Sequence, residues 1–101
     1  MKCQVLRWAE AAKPREGTLR RRLQDEGFEV FRWRDDAAAD YRPHAHDHDE
    51  SLWVVHGEIT FGVAGESHTL GPGDRLMLPK GTVHTAVAGT EGCLYLIGQK
   101  P

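Results

Sequence analysis

After residue 36 the sequence consists almost entirely of short β-type segments separated by Gly and Pro, and this pattern constrains the fold more than any other feature. The predicted strands are residues 52–55, 58–63, 67–70, 75–78, 83–87 and 93–97. Turns between several of them are predicted at His56-Gly57, at residues 64–66 and at residues 71–74. Evenly spaced short strands with such turns are typical of a small antiparallel barrel or sandwich, so we expect an all-β fold.

The first 36 residues are predicted to add one short helix and two strands. Residues 1–8 alternate as an edge strand does, and residues 28–34 are rich in aromatic and β-branched side chains. Residues 18–26 are predicted to form a helix, with Thr18 as its N-cap and Gly27 as a left-handed C-cap. The 101 residues are too few for two cores, so we expect a single domain with this N-terminal region at 1–36 and a barrel at 37–101.

Composition argues against several classes of protein. The chain has 13 basic and 15 acidic side chains, and its net charge of −2 argues against a nucleic-acid binder, which carries a concentrated basic surface. No apolar run approaches the roughly 20 residues that cross a bilayer, and no secretion signal is visible, so a cytoplasmic location without membrane attachment is expected. Cys3 and Cys93 form no Cys-x-x-Cys pair and are predicted to be reduced thiols.

Three of the six histidines are concentrated in residues 44–50, which read His-Ala-His-Asp-His-Asp-Glu. In an extended segment alternate residues share a face, so His44, His46, His48 and Glu50 are expected to point one way. Imidazole nitrogens and a carboxylate are ligands that divalent first-row metals take. A solvated polar loop has the same composition, so this segment alone leaves both interpretations open.

A second segment, residues 73–84, combines a strand, a Pro/Gly turn and a histidine. Together the two segments resemble the motifs of the cupin superfamily. The first motif, Gly-x5-His-x-His-x3/4-Glu-x6-Gly, is matched at His44, His46, Glu50 and Gly57. The second, Gly-x5-Pro-x-Gly-x2-His-x3-Asn, is matched at Gly73, Pro79, Gly81 and His84. The chain departs from the motifs at Ala38, in place of the opening Gly, and at Ala88, in place of the closing Asn.

The resemblance implies a small single-domain microbial cupin with an RmlC-like jelly roll, a double-stranded β-helix of six to eight strands. It also implies one divalent metal inside one end of the barrel. His44, His46 and Glu50 would come from one hairpin, and His84 from a strand alongside. Iron, manganese, nickel and zinc all suit such ligands, and the sequence does not distinguish them. A small-molecule ligand or substrate would fill the open positions; no organic cofactor and no catalytic residue are indicated.

The remaining candidates have ordinary explanations. His48 is either a spare ligand, a base behind the ligands or a rim residue, and the rim is favoured. His56 and His68 are predicted to lie on the surface, and Ser67-His68 lacks the context of a hydrolase triad. Trp8, Trp33 and Trp53 are pocket candidates, although packing is the more common role of Trp. Tyr41 and Arg42 are candidates only because they precede the first predicted ligand.

Two classes of function follow from the resemblance. The first is a metal-dependent enzyme, a dioxygenase or isomerase of a small chelating substrate. The second is a non-catalytic module that binds or senses a metal or a small ligand. A homodimer is also expected, in which residues 2–8 pair with or pack against the partner's sheet.

Overall fold

Two long antiparallel strands form the centre of the structure, a computed structural model that describes all 101 residues. The elements are β1 (Gln4–Leu6), α1 (Glu16–Asp25), β2 (Glu29–Asp35), β3 (Asp40–His44), β4 (Asp49–Val63), β5 (Glu66–Leu70), β6 (Arg75–Leu78) and β7 (His84–Lys100). The long strands β4 and β7 pair along their whole lengths, from Asp49 opposite Lys100 to Val63 opposite His84. Every other strand joins the barrel by pairing with one of these two or, for β1, with β6.

Each half of a long strand belongs to a different layer. The first layer has the order β1-β6-β4-β7-β2 and uses the first half of β4 and the second half of β7. In the second layer β5 pairs with the second half of β4, and β3 pairs with the first half of β7. All pairings are antiparallel. The predicted all-β, jelly-roll architecture with one short helix is therefore confirmed, with seven strands.

The predicted turn at His56-Gly57 is wrong, because the chain bends there and continues as one strand. The pairing of β4 with β7 shifts register on both sides of this dipeptide. Gly57 has φ +80°, and a Cβ at this position would lie 2.2 Å from the carbonyl oxygen of Gly92, itself at φ +76°. The two backbones meet at the bend, which requires glycine there. The predicted strands 52–55 and 58–63 are thus halves of β4, and 83–87 and 93–97 are parts of β7.

The helix begins two residues before the predicted start. Arg15 is the N-cap residue and makes no side-chain capping bond, so the prediction of Thr18 as N-cap is wrong. The carboxylate of Glu16 lies in the first turn, where it interacts favourably with the positive end of the helix dipole. This charge replaces the hydroxyl cap that the sequence pattern suggested.

The end of the helix agrees with the prediction. Gly27 has φ +93°, its N–H donates to the carbonyl of Gln24, and the N–H of Phe28 donates to the carbonyl of Leu23. These two bonds form a Schellman motif, and Phe28 and Leu23 belong to the same buried cluster. Leu19 and Leu23 are fully buried against the outer face of the first layer, as their spacing predicted.

The first half of β4 is buried on both faces, which explains its continuous apolar run. Leu52 and Val54 point into the barrel, where they belong to a cluster of 12 buried residues. Trp53 and Val55 point outward into the cluster of 7 beneath α1. A strand that is buried on both faces lacks the alternation of apolar and polar residues that is typical of a strand with one solvent-exposed face.

Ala38, one of the departures from the cupin motifs, adopts the conformation that glycine favours. Its φ is +59°, and it lies in the turn before β3, where its N–H donates to the carbonyl of Gly89. A left-handed conformation costs an L-residue roughly 1–2 kcal/mol. The turn therefore has the backbone conformation that glycine favours, although alanine adopts it at this cost in free energy.

The N-terminal strand is shorter than predicted and pairs within its own chain. β1 lies antiparallel to β6, with Val5 opposite Leu76, and its other edge is unpaired. The expected homodimer stays a prediction.

No helix in the structure is long and apolar enough to span a membrane.

Candidate metal centre

Three histidines meet where β3 ends and β7 begins. His44, the last residue of β3, lies opposite His84, the first residue of β7, and their ring centroids are 4.2 Å apart. The ring of His46 lies 5.0 Å from that of His44 and 5.4 Å from that of His84. One nitrogen of each ring lies within 4.8 Å of the other two. An ion about 2.1 Å from each nitrogen separates its ligands by roughly 3.0–3.4 Å, so small side-chain rotations suffice to bring all three onto one ion.

Backbone carbonyls orient two of these rings. Nδ1 of His44 lies 2.8 Å from the carbonyl oxygen of Arg42, and Nδ1 of His84 lies 3.0 Å from that of Thr82. A carbonyl oxygen only accepts, so each Nδ1 donates its hydrogen and Nε2 keeps a free lone pair when the ring is neutral. Burial lowers the pKa of His84, which favours this neutral form. Imidazoles that bind metals in proteins are oriented in the same manner.

Glu50 lines the same cavity, but its carboxylate is turned toward His48. Oε2 of Glu50 lies 2.9 Å from Nε2 of His48 and 3.8 Å from Nε2 of His46. These three residues form a second compact group that shares His46 with the first. Glu50 is buried, and its carboxylate belongs to this second group rather than to the three-histidine group. The four predicted ligands thus surround one cavity, three of them already converging.

His48, for which a rim position is predicted, is not among the residues that line the cavity, but it contacts Glu50 directly. Its side chain is only 20% exposed, and its hydrogen bond to Glu50 raises the pKa of the imidazole. The alternation expected for residues 44–50 does not extend this far, since β3 ends at His44 and β4 begins at Asp49. Nor do His44, His46 and Glu50 come from one hairpin: β3 pairs with β7 and not with β4, and the segment between β3 and β4 crosses from one layer to the other.

The contact between His48 and Glu50 leads to a testable prediction. We expect His48→Ala to weaken metal binding by roughly 10–100-fold without changing the number of ions bound, because the substitution removes the donor that holds the Glu50 carboxylate. Competition with a chelator of known affinity measures the change. His68→Ala is the matched control, since His68 lies 3.6 Å from the carboxylate of Glu66, outside the cavity. An unchanged dissociation constant for His48→Ala would contradict the prediction.

A cavity of about 210 Å³ adjoins the histidines. Its apolar wall consists of Leu52, Phe61, Ala86 and Ile97. Its polar and aromatic residues other than the predicted ligands are Trp33, Tyr41, Tyr95 and Gln99. Of the candidates from the sequence, Trp33 and Tyr41 line the cavity, whereas Trp8, Trp53 and Arg42 do not. Tyr95 was missed because nothing near it in the sequence indicates a site.

Asp35 was also missed, although it contacts three of these cavity side chains. It is a buried carboxylate at the end of β2, 5% exposed, and accepts hydrogen bonds from Trp33, Tyr41 and Tyr95. The pairing of β2 with β7 brings it to Tyr95, which is 60 residues away in sequence. The one signal available was an acidic residue directly after the predicted strand 28–34.

The remaining histidines and both cysteines lie outside this cavity. His56 is exposed on β4, and His68 lies on the β4–β5 hairpin. Cys3 is exposed, whereas Cys93 is buried, and burial raises the pKa of the Cys93 thiol to about 12. Both are free thiols, as predicted.

Comparison with known proteins agrees with the observed fold. The sequence profile of the Cupin domain family matches residues 31–97. KdgF from Halomonas sp. is 31% identical over 71% of this chain and 68% of its own, with a TM-score of 0.65. An RmlC-like cupin from Shewanella frigidimarina is 30% identical over 73% of this chain and 67% of its own, with a TM-score of 0.64.

A more distant neighbour is an enzyme. The DMSP lyase DddQ from Ruegeria pomeroyi is 25% identical over 71% of this chain and 37% of its own, with a TM-score of 0.66. No curated protein matches the sequence. The match of the family profile to most of the chain, together with the two motifs and the seven-stranded jelly roll, shows that the chain belongs to the cupin family.

Proposed function

We propose that this cupin binds one divalent metal ion through His44, His46, His84 and Glu50 and acts on a small molecule in the adjoining cavity. One observation carries the proposal: three imidazoles converge at the cavity, and two of them are held by backbone carbonyls with Nε2 free. A solvated histidine-rich loop has no reason to orient its rings in this way. Glu50 and His84 support the same conclusion, because both are buried and both line the cavity at which the three imidazoles converge.

The donor set fits iron(II), manganese(II), nickel(II) or zinc(II). Such an ion, when bound, polarises an oxygen of the small molecule and favours loss of a proton from it. The chain's own residues then bind and orient the molecule. Leu52, Phe61 and Ile97 give the cavity apolar surface that excludes water, and the phenol oxygens of Tyr41 and Tyr95 offer polar contacts.

We favour catalysis over simple binding. The DMSP lyase among the similar structures is an enzyme that shares this fold, and the cavity brings polar side chains next to the three histidines. Both free thiols are compatible with action in the cytoplasm. The homodimer belongs to the same proposal: the outer edge of β1 is unpaired and is a place where a second copy can add.

Elemental analysis of the protein purified without added metal tests the proposal directly. We expect about one ion per chain, and we expect the ion to raise Tm on addition to the chelator-treated protein, because a ligand that binds only the folded state stabilises it. A protein that takes up none of the four metals and shows no shift in Tm would overturn the proposal. For the metal-loaded protein, turnover of a chelating diketone, catechol or thiol substrate distinguishes an enzyme from a binding module.

A further inference from the structure

A second polar feature lies in the same cavity, formed by a carboxylate and three side chains that donate to it. We call Asp35, Trp33, Tyr41 and Tyr95 the Asp35 network. The hydroxyl of Tyr41 and the indole N–H of Trp33 donate to Oδ1 of Asp35, at 2.5 and 2.8 Å, and the hydroxyl of Tyr95 donates to Oδ2 at 2.8 Å. The proposed metal ligands take no part in these bonds.

The charge of Asp35 has no cationic partner. No Lys, Arg or His nitrogen forms an ion pair with this carboxylate, and the side chain is buried. Three neutral donors therefore stabilise the charge alone. The phenols stay protonated to do so, since burial and the neighbouring carboxylate raise the pKa of Tyr41 and of Tyr95.

These bonds determine what Tyr41 offers to a ligand. A phenol has one hydrogen to donate and two lone pairs that accept. The hydrogen of Tyr41 is given to Asp35, and the indole N–H of Trp33, 3.2 Å from the phenol oxygen, occupies one lone pair. What Tyr41 presents to the cavity is thus a hydrogen-bond acceptor, made more negative by the carboxylate behind it.

The electrostatics of the cavity point in the same direction. Its lining contains no Lys and no Arg. A carboxylate of a ligand placed beside Tyr41 would meet no counter-charge and would face Asp35 across the phenol. A hydroxyl or an ammonium group would instead donate to Tyr41, and the ring faces of Trp33 and Tyr95 also attract a cation.

We propose that the cavity selects small molecules with metal-binding oxygens at one end and a hydroxyl or ammonium group at the other, with Tyr41 as the specificity-determining residue and Asp35 as its positioning residue. The inference rests on the proposed function, because the three histidines and their metal hold the first end. It adds the substrate class: the group of the ligand that contacts Tyr41 is neutral or cationic and is not a second carboxylate.

Four 2-hydroxy acids with the same four-carbon skeleton test this inference. They are 2-hydroxybutanoate, 2,4-dihydroxybutanoate, 4-amino-2-hydroxybutanoate and malate, which differ only in a terminal methyl, hydroxyl, ammonium or carboxylate group. Their dissociation constants for the metal-loaded protein are measured by calorimetry. We expect the hydroxyl and ammonium ligands to bind at least tenfold more tightly than malate, and more tightly than the methyl ligand, in line with the value of one hydrogen bond to a polarised acceptor.

Tyr41→Phe is expected to abolish the preference for the hydroxyl and ammonium groups while leaving the dissociation constant of 2-hydroxybutanoate within about twofold. Asp35→Asn is expected to reduce the same preference with the metal content unchanged, because an amide polarises the phenol less than a carboxylate does. A merely structural role of Asp35 would lower all four affinities together. His68→Ala, outside the cavity, serves as the control variant.

The inference is overturned if malate binds as tightly as the aminohydroxy acid, or if Tyr41→Phe weakens the binding of all four ligands equally. Failure of all four to bind a protein that carries its metal would also overturn it. A protein that takes up no metal would overturn the proposed function instead, so the two failures are distinguishable. If Asp35→Asn does not fold, Tyr41→Phe still tests the inference, because the side chain of Tyr41 is only partly buried.

Discussion

His84→Ala is expected to reduce bound metal from about one ion per chain to a background level, a loss larger than that from any change at the cavity rim. His84 is 4% exposed, is fixed by its bond to Thr82, and lies opposite His44 in the barrel, so no other donor takes its place. Elemental analysis of the variant and of wild type, purified in parallel, measures the effect. The same variant is expected to lose the rise in Tm that metal gives to wild type.

Two controls separate metal binding from folding. His56→Ala removes an exposed histidine from β4, outside the cavity, and should keep the full metal content. His46→Ala removes a ligand candidate whose side chain is 36% exposed, so it perturbs packing less than His84→Ala and should still lose most of the metal. Retention of a full equivalent of metal by both His84→Ala and His46→Ala, with native circular dichroism, would rule out the three-histidine centre.

Gly57→Ala is expected to lower the free energy of unfolding by about 3–5 kcal/mol, more than Gly65→Ala does. The added Cβ would lie 2.2 Å from the carbonyl oxygen of Gly92, and that backbone cannot move aside without breaking the pairing of β4 with β7. The left-handed conformation, φ +80°, adds its own cost for alanine. Small domains are stable by only about 5–15 kcal/mol, so the variant should unfold at a much lower denaturant concentration.

Gly65→Ala isolates the conformational part of this cost. Gly65 has nearly the same φ, +79°, and a Cβ there would meet no atom within 4 Å. Its substitution should cost only about 1–2 kcal/mol. Chemical unfolding of both variants gives the comparison. Equal losses of stability at Gly57 and Gly65 would show that the contact at the bend is unimportant.

The sequence predicts the fold class, the docking face of α1 and the residues that converge at the cavity. These features depend on local pattern: the spacing of turns, the four-residue repeat of Leu19 and Leu23, and two motifs with fixed intervals. The motif glycines also have physical reasons that the structure supplies. A Cβ at Gly73, for example, would lie 2.4 Å from the indole of Trp8, at φ +88°.

Features that depend on tertiary contacts were not predictable from the sequence. In a sequence, a glycine at a bend within a strand looks the same as a glycine at a turn between two strands. The sequence pattern therefore predicts two short strands where β4 is continuous, and two where β7 is continuous. The orientation of Glu50 toward His48 depends on a connection that follows no strand alternation. Asp35 and Tyr95 are adjacent only because β2 pairs with β7, and one sequence alone contains no record of that pairing.

The continuity of β7 fixes the distance between two residues that line the cavity. His84 and Tyr95 both lie on this strand and both line the cavity, and Gly92, which meets Gly57 at the bend, lies between them in the sequence. Backbone hydrogen bonds to β4 hold the strand on both sides of the bend, so the two residues keep a fixed separation. Insertions in the β4–β5 hairpin should therefore leave unchanged the span that a molecule must cover to contact both residues.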